Sequence, residues 1–148
     1  MTAHSLLLAE DSAEDVQLIL AALQPVISSD QVAVCADGVD ALDYLFARNA
    51  HAGRETNDLP KLVLLDLNLP KIGGLEVLRE LRANPRTRLL PVVMLSASAE
   101  QSDVRAASAL GVNSYLRKSL DYTRLREAIA LMGSYWLNLN IPPPGHGE

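Results

Sequence analysis

The sequence is poor in cysteine and has no long apolar run. Cys35 is the only cysteine among 148 residues, so no intrachain disulfide can form, which is compatible with a reducing cytoplasm. The apolar run at residues 5–9 is too short for the hydrophobic region of a signal peptide and has no basic flank. No run is long enough to span a membrane. We therefore expect a cytoplasmic protein with no membrane partner.

Basic residues are also few. Lys and Arg number 13 against 18 Asp and Glu, which gives a formal net charge of -5. This balance argues against nucleic acid as a partner, because phosphate backbones attract clustered cations. Neither a G-x-G-x-x-G loop nor a P-loop Gly-Lys-Ser/Thr motif occurs, which counts against a nucleotide-binding module.

The pattern that is present predicts five strand-then-helix units. The predicted strands cover residues 5–9, 32–35, 62–65, 92–95 and 114–117. Ser12 and Asp37 are N-cap residues for the first two helices, and the third helix starts near Gly74. A fourth helix over residues 100–110 ends at Gly111, and the fifth starts at about Asp121.

Alternating strands and helices predict a parallel sheet with helices on both faces. The fold class is therefore α/β, a flavodoxin-like doubly wound (βα)5 sandwich, most simply with strand order 2-1-3-4-5. Residues 62–65 are apolar throughout, which is typical of a strand buried on both faces at the centre of such a sheet.

Polar side chains follow four of the predicted strands, at Glu10-Asp11, Asp66, Ser96 and Lys118. In a parallel sheet all four strand ends meet at one edge, where open α/β folds bind ligands. Three clustered carboxylates repel one another unless a hard cation lies between them, and Mg²⁺ takes such oxygen ligands. A lysine and a hydroxyl beside the cation would meet phosphate oxygens. The pattern predicts Mg²⁺-assisted phosphoryl chemistry.

A simpler interpretation explains all of these residues except Asp66. Glu10 and Asp11 would favour a helix N-terminus through the helix dipole. Lys118 would be an ordinary solvated lysine, and Ser96 an ordinary hydroxyl at a strand end. Helix capping does not explain Asp66, because Pro70, Ile72 and two glycines precede the next helix.

Taken together, these residues resemble a receiver domain of two-component response regulators over nearly the whole chain. The resemblance rests on Glu10-Asp11, on Asp66 in Leu-Asp-Leu-Asn-Leu-Pro, on Gly74, on Ser96-Ala97, and on Tyr115 and Lys118. The long loop before the third strand and the Tyr-Trp-Leu ending also resemble single-domain regulators paired with bacterial phytochrome histidine kinases. The resemblance implies that residues 1–136 form the receiver domain and that a histidine kinase is the partner.

The resemblance assigns a role to each residue. Asp66 would take a phosphoryl group from a phosphohistidine. Asp11, Asp66 and the backbone carbonyl of Asn68 would hold Mg²⁺, with Glu10 acting mainly through water. Lys118 would neutralise charge on the transferring oxygens. Ser96 would donate its hydroxyl to the bound phosphoryl group, and Tyr115 would move inward with it as the second half of a switch pair.

Two other classes share parts of this pattern. An aspartate-based phosphatase would also use a strand-end Asp with Mg²⁺, but it usually carries a second acid two residues later, where this chain has Asn68. A flavin carrier shares the topology but has a hydroxyl-rich loop after the first strand. We therefore expect no enzyme acting on external substrates, only self-phosphorylation and self-dephosphorylation at Asp66.

One position departs from the family pattern. The residue after the active-site lysine is commonly Pro, preceded by a cis peptide bond, and here it is Ser119. A cis bond before a non-proline residue costs about 3 kcal/mol, so the bond is either strained or trans. The three histidines, His4, His51 and His146, have no ligand spacing, and we expect them to be solvated.

The C-terminal residues 137–148 are predicted to form a dimer contact. Apolar side chains continue through Leu137, Leu139 and Ile141, before Pro142-Pro143-Pro144. Their alternation suits an extended segment on a neighbouring copy, and exposed apolar surface usually marks a contact. The alternative is a tail that folds back on its own domain.

Overall fold

The computed structural model describes residues 4–118 and 121–143. Five parallel strands form one sheet in the order β2-β1-β3-β4-β5, as predicted. The strands are β1 (Leu6–Ala9), β2 (Val32–Cys35), β3 (Leu62–Asp66), β4 (Val92–Ser96) and β5 (Ser114–Arg117). The helices are α1 (Ala13–Leu23), α2 (Gly38–Phe46), α3 (Gly74–Ala83), α4 (Gln101–Ala109) and α5 (Tyr122–Ser134).

The helix starts agree with the predicted caps. The Ser12 hydroxyl accepts a hydrogen bond from the Asp15 amide, and the Asp37 carboxylate accepts one from the Asp40 amide. Asp121 caps α5 in the same way. Gly111 follows α4 with a φ of 88°, a left-handed conformation that favours glycine. These local signals lie within a few residues of the element that they begin or end, which is why they can be read without the fold.

Each strand divides its side chains between two cores. Leu62 and Leu64 of β3 pack with α1 and α5, whereas Val63 and Leu65 pack with α2, α3 and α4. Successive strand residues point to opposite faces of a sheet, so a strand buried on both faces is apolar throughout. All five residues of β3 are buried, as expected for its central position.

The C-terminal segment differs from the prediction. Residues Tyr135–Leu139 continue from α5 as a π-helical turn rather than as an extended segment. Leu137 is buried among the apolar residues that pack under α1 and α5. The expectation that it leaves the domain was wrong, because the helical turn directs it back to the core. Leu139 and Ile141 remain 70% and 88% exposed. Residues 144–148 lie outside the described residues.

No helix in the described part of the chain combines the length and the apolar character needed to cross a membrane.

Candidate functional site

The register of the sheet brings the acidic residues together. Ala9 of β1 pairs with Leu65 of β3, so Glu10 is level with Asp66. One carboxylate oxygen from each of Glu10, Asp11 and Asp66 lies within 4.8 Å of the others. Glu10 is 1% exposed and Asp66 is 6% exposed, whereas Asp11 is open to solvent. We call these residues, together with Lys118, the acidic cluster.

The backbone around Asp66 has little free space. The Gly74 amide donates to the Leu67 carbonyl at 2.8 Å, which closes the loop between β3 and α3. A Cβ atom at Gly74 would lie 2.3 Å from the Asp66 carbonyl oxygen. Only glycine fits there, so the start of α3 can approach the strand end directly. The Asn68 amide lies 3.4 Å from Asp66 Oδ1, and the Asn68 side chain is exposed.

Lys118 directly follows β5, the strand at one side of the sheet, and its side chain reaches the acidic cluster. Its Nζ lies 2.6 Å from Glu10 Oε1, 2.9 Å from Asp15 Oδ2 and 3.5 Å from Asp66 Oδ2. The Glu10 contact is an ion pair without hydrogen-bond alignment, because Oε1 has no partner that meets hydrogen-bond angles. The ammonium is therefore held more closely by Glu10 and Asp15 than by Asp66.

Burial and charge act against each other in this cluster. Burial raises the pKa of the Asp66 carboxyl, although the Lys118 ammonium opposes the rise. Burial likewise raises the pKa of Glu10 against the effect of Lys118. Burial lowers the pKa of Lys118, but its contacts with Glu10, Asp15 and Asp66 together raise it above its ordinary value. The site therefore holds excess negative charge, which a cation or a phosphoryl-bound metal would relieve.

Ser96 and Tyr115 are both bonded to Ser98, in the loop after β4. The Ser98 amide donates to Ser96 Oγ at 3.0 Å, and the Tyr115 hydroxyl donates to the Ser98 carbonyl at 2.9 Å. The Ser98 hydroxyl donates to Asp103 of α4 at 2.6 Å. Ser98 thus connects the end of β4 with β5 and α4, a connection absent from the sequence interpretation.

Asp15 is the second residue that the sequence interpretation missed. It lies in the first turn of α1, where an acid is commonly explained by the helix dipole. Its contact with Lys118 spans 103 positions of the chain, so no local sequence pattern predicts the contact. Of the predicted site residues, Glu10, Asp11, Asp66 and Lys118 converge directly, and Ser96 and Tyr115 connect through Ser98. Ser119 lies outside the described residues.

The prediction that the histidines are solvated was wrong for two of them. His4 Nδ1 lies 2.9 Å from the Tyr44 hydroxyl, and His51 Nε2 lies 2.8 Å from Asp40 Oδ1. His146 lies outside the described residues. Both contacts form because residues distant in sequence meet beside β2, the edge strand.

Comparison with known proteins identifies the family. The response regulator receiver domain family matches residues 6–130. The chain is 38% identical over 138 residues to "Probable methanogenesis regulatory protein FilR2" of Methanothrix harundinacea, covering 93% of this chain and 86% of that protein. It is 37% identical over 132 residues to "Response regulator Rcp1" of Synechocystis sp., covering 89% of this chain and 88% of Rcp1.

Solved structures agree with this result. The phosphorylated cyanobacterial phytochrome response regulator RcpA superimposes with a TM-score of 0.84 at 34% identity, covering 96% of this chain and 99% of RcpA. The Mn²⁺-bound form of Rcp1 gives a TM-score of 0.83 at 36% identity, covering 93% and 97%. The flavodoxin-like fold and the resemblance to phytochrome response regulators are confirmed, and a phosphatase is not favoured. With this family match, this fold and an acidic sheet edge beside a lysine, the chain belongs to the response regulator receiver domains.

Proposed function

We propose that Asp66 accepts a phosphoryl group from the phosphohistidine of a histidine kinase. The observation that carries the proposal is the placement of the Asp66 carboxylate, buried at the end of β3, 3.5 Å from the Lys118 ammonium. An Asp66 oxygen would attack phosphorus, and the P–N bond would break. The electron pair would stay on the imidazole nitrogen, and the product would be an acyl phosphate.

The residues present fit a hard divalent cation. Glu10, Asp11 and Asp66 offer three oxygens within 4.8 Å of one another, and Glu10 Oε1 has no aligned hydrogen bond. Asp11, Asp66 and the backbone carbonyl of Asn68 would hold Mg²⁺, with Glu10 acting through water. When bound, the cation would neutralise charge on the phosphoryl oxygens. A metal ion is bound in the structure of the related Rcp1.

Lys118, Ser96 and Tyr115 complete the proposed site. Lys118 would leave its contacts with Glu10 and Asp15 to meet a phosphoryl oxygen. The Ser96 hydroxyl would turn to donate to the same group, which would remove the acceptor of the Ser98 amide. Because Tyr115 donates to Ser98, the rearrangement would reach β5 and α4. Asp66 would later be dephosphorylated by water, and no external substrate would be turned over.

We propose a phytochrome-type histidine kinase, such as a bacteriophytochrome, as the partner, on the likeness to RcpA, Rcp1 and the bacteriophytochrome response regulator RtBRR. We also propose that the protein works in the cytoplasm, which is compatible with its single cysteine. The net charge of -5 supports a protein partner over nucleic acid.

We propose further that residues 1–136 act as the receiver domain and that the tail, residues 137–148, helps to form a homodimer, with Leu137 excepted because it is buried in the domain core. Leu131, Tyr135 and Leu139 are exposed at spacings of four residues, and Ile141 follows them. Such a stripe suits a symmetric contact. Leu139→Ser with Ile141→Ser should lower the mass measured by light scattering at micromolar concentration. Leu89→Ser, an exposed leucine elsewhere, is the control, and an unchanged mass in the double variant rejects the dimer.

Phosphorylation itself is tested with a small acyl phosphate and Mg²⁺. Intact-mass measurement should show one acid-labile adduct on the wild type and none on Asp66→Asn. Asp30→Asn, an exposed acid far from the sheet edge, should be labelled like the wild type. Labelling of Asp66→Asn at the wild-type level would falsify the assignment, and continuous release of phosphate at many turnovers would favour a phosphatase.

The switch is tested separately by hydrogen exchange with a beryllofluoride phosphoryl mimic. Ser96→Ala should still bind the mimic but lose the change in exchange over residues 97–117. Ser108→Ala on the exposed side of α4 should respond as the wild type. An unchanged response in Ser96→Ala means that the coupling through Ser98 does not operate.

A further inference from the structure

A second cluster of polar side chains lies beside β2, outside the acidic cluster. Cys35 ends β2, Asp40 lies in the first turn of α2, and His51 lies in the loop between α2 and β3. Each offers one ligand atom, and the three atoms lie within 4.8 Å of one another. Cys35 is 2% exposed, and the other two side chains are partly exposed. We call these three residues the thiol cluster.

Two of the three side chains in the thiol cluster are in direct contact. His51 Nε2 lies 2.8 Å from Asp40 Oδ1. Burial raises the pKa of the Cys35 thiol, and the nearby Asp40 carboxylate raises it further. The thiol is therefore protonated without a metal, and it is a poor nucleophile. A catalytic role for Cys35 is not supported, whereas a metal ion displaces thiol protons directly.

We propose that Cys35, Asp40 and His51 form a binding site for a transition-metal dication of the Zn²⁺ type. Sulfur, imidazole nitrogen and carboxylate oxygen at mutual ligand distance are the donor set that Zn²⁺ takes, and hard Mg²⁺ does not take thiolate. Binding would release the Cys35 proton to solvent. Thiolate, carboxylate and neutral imidazole would then balance the charge of the dication.

The surroundings leave room for a further ligand. A cavity of about 600 Å³ borders Cys35 and His51 and is also lined by His4, Tyr44 and Arg54. Arg54 stacks on the Tyr44 ring, 3.7 Å from its centroid, and donates to the Asp58 carbonyl. Three protein ligands with an open fourth position are typical of zinc sites that bind water or an exogenous group. The guanidinium beside the cavity would repel a dication, so we expect micromolar rather than very tight binding.

The alternative is a purely structural network in which His51 and Asp40 anchor the loop over β2. Both interpretations use the same ion pair. They differ in the thiol, because only metal binding requires a thiolate ligand. The test therefore has to report sulfur coordination and has to separate this site from the acidic cluster.

The experiment is a titration of the full-length reduced protein with Co²⁺ in excess Mg²⁺, which occupies the acidic cluster. We expect one Co²⁺ per chain, a thiolate-to-cobalt charge-transfer band, and loss of that band on adding Zn²⁺. Cys35→Ser should abolish the band. His51→Gln should weaken Co²⁺ binding about tenfold or more, because even the loss of a group that only orients a metal ligand costs about 10–100-fold in affinity.

His4→Gln is the matched control, because His4 lines the same cavity without belonging to the cluster. It should bind Co²⁺ like the wild type. Absence of the band in the wild type, or equal affinity in His51→Gln, overturns the proposal. So does loss of Co²⁺ binding in Asp11→Asn with retention in Cys35→Ser. Circular dichroism melts check that each variant is folded, and a folded wild type without a band is decisive.

Discussion

The acidic cluster and the thiol cluster both lie at the carboxyl ends of the strands, but on opposite faces of the sheet. Leu8, Leu64 and Leu116 pack toward α1 and α5, and two residues after each of them come Glu10, Asp66 and Lys118. Cys35 instead packs toward α2, α3 and α4. Period-two alternation thus collects oxygen donors and an ammonium on one side, and a thiol on the other.

The two clusters also differ in how they manage charge. The acidic cluster contains more buried carboxylates than its single ammonium can neutralise. That ammonium therefore stabilises the whole cluster. The thiol cluster has a neutral thiol and a partly exposed ion pair. Burial, more than the number of polar groups, therefore decides what a cluster costs the fold.

The largest effect is expected from Lys118→Met, which removes the cation of the acidic cluster. Glu10 and Asp66 would stay buried without compensation, and loss of one partner of a buried pair costs about 3–5 kcal/mol of unfolding free energy. Urea unfolding at pH 7.5 measures the loss. The deficit should shrink at pH 4.5, where the carboxyls take up protons. Arg117→Met, at the exposed neighbour, is the control, and equal losses in the two variants would contradict the argument.

Asp66→Asn should have the opposite sign. Because burial raises the Asp66 pKa, the folded state holds its proton more tightly than the unfolded state. The group contributes stability below its unfolded pKa and loses it as pH rises through the raised folded pKa. The neutral variant should therefore be more stable at pH 7.5 by on the order of 1 kcal/mol, or about 2–4 °C in melting temperature.

The matched comparison for Asp66→Asn is Asp43→Asn in α2. The hydrogen bond from Arg48 holds the pKa of Asp43 below its usual value, so its charged form stabilises the fold above the unfolded pKa. Asp43→Asn should lower the melting temperature at pH 7.5, and its effect should fade as pH drops. If both variants change the melting temperature in the same direction, the changes do not arise from the charges of these carboxyls.

A smaller, kinetic effect is expected from Asp15→Asn. Lys118 Nζ lies closer to Asp15 than to Asp66, so removing the Asp15 charge should free the ammonium for the transferring group. Partly exposed ion pairs contribute 0.2–1 kcal/mol, which corresponds to an increase of up to about fivefold in the rate of labelling by an acyl phosphate. Glu14→Gln makes the same charge change at the exposed neighbouring position and should leave the rate unaltered. A slower Asp15→Asn would mean that Asp15 assists Lys118 instead.

The smallest effect is expected in the thiol cluster without metal. His51→Gln breaks an ion pair in which both side chains are partly exposed, so it should cost less than about 1 kcal/mol in urea unfolding. A chelator in the buffer keeps metal out of the measurement. A loss as large as that of Lys118→Met would remove the proposed difference between the clusters.

The elements and most of the candidate site were predictable because their signals are local. Ser12, Asp37 and Asp121 cap helices through bonds that reach three residues along the chain. Polar residues directly after apolar strands mark a common sheet edge once the strands are parallel. The tail was not predictable in the same way, because the alternation of Leu137, Leu139 and Ile141 fits an extended strand and a wide helical turn about equally well.

Local patterns in the sequence were sufficient to predict the five units and the common sheet edge of Glu10, Asp66 and Lys118, because side-chain period and chain direction set both. The strand order 2-1-3-4-5 was predicted as the simplest arrangement, and the structure confirms it. Three contacts became visible only in the folded protein: Asp15 holds Lys118, Ser98 joins Ser96 to Tyr115, and His51 lies beside Asp40 and Cys35. These contacts depend on distances of a few ångströms between elements far apart in the chain. Helix placement and loop path set those distances, and no local pattern of residues encodes them.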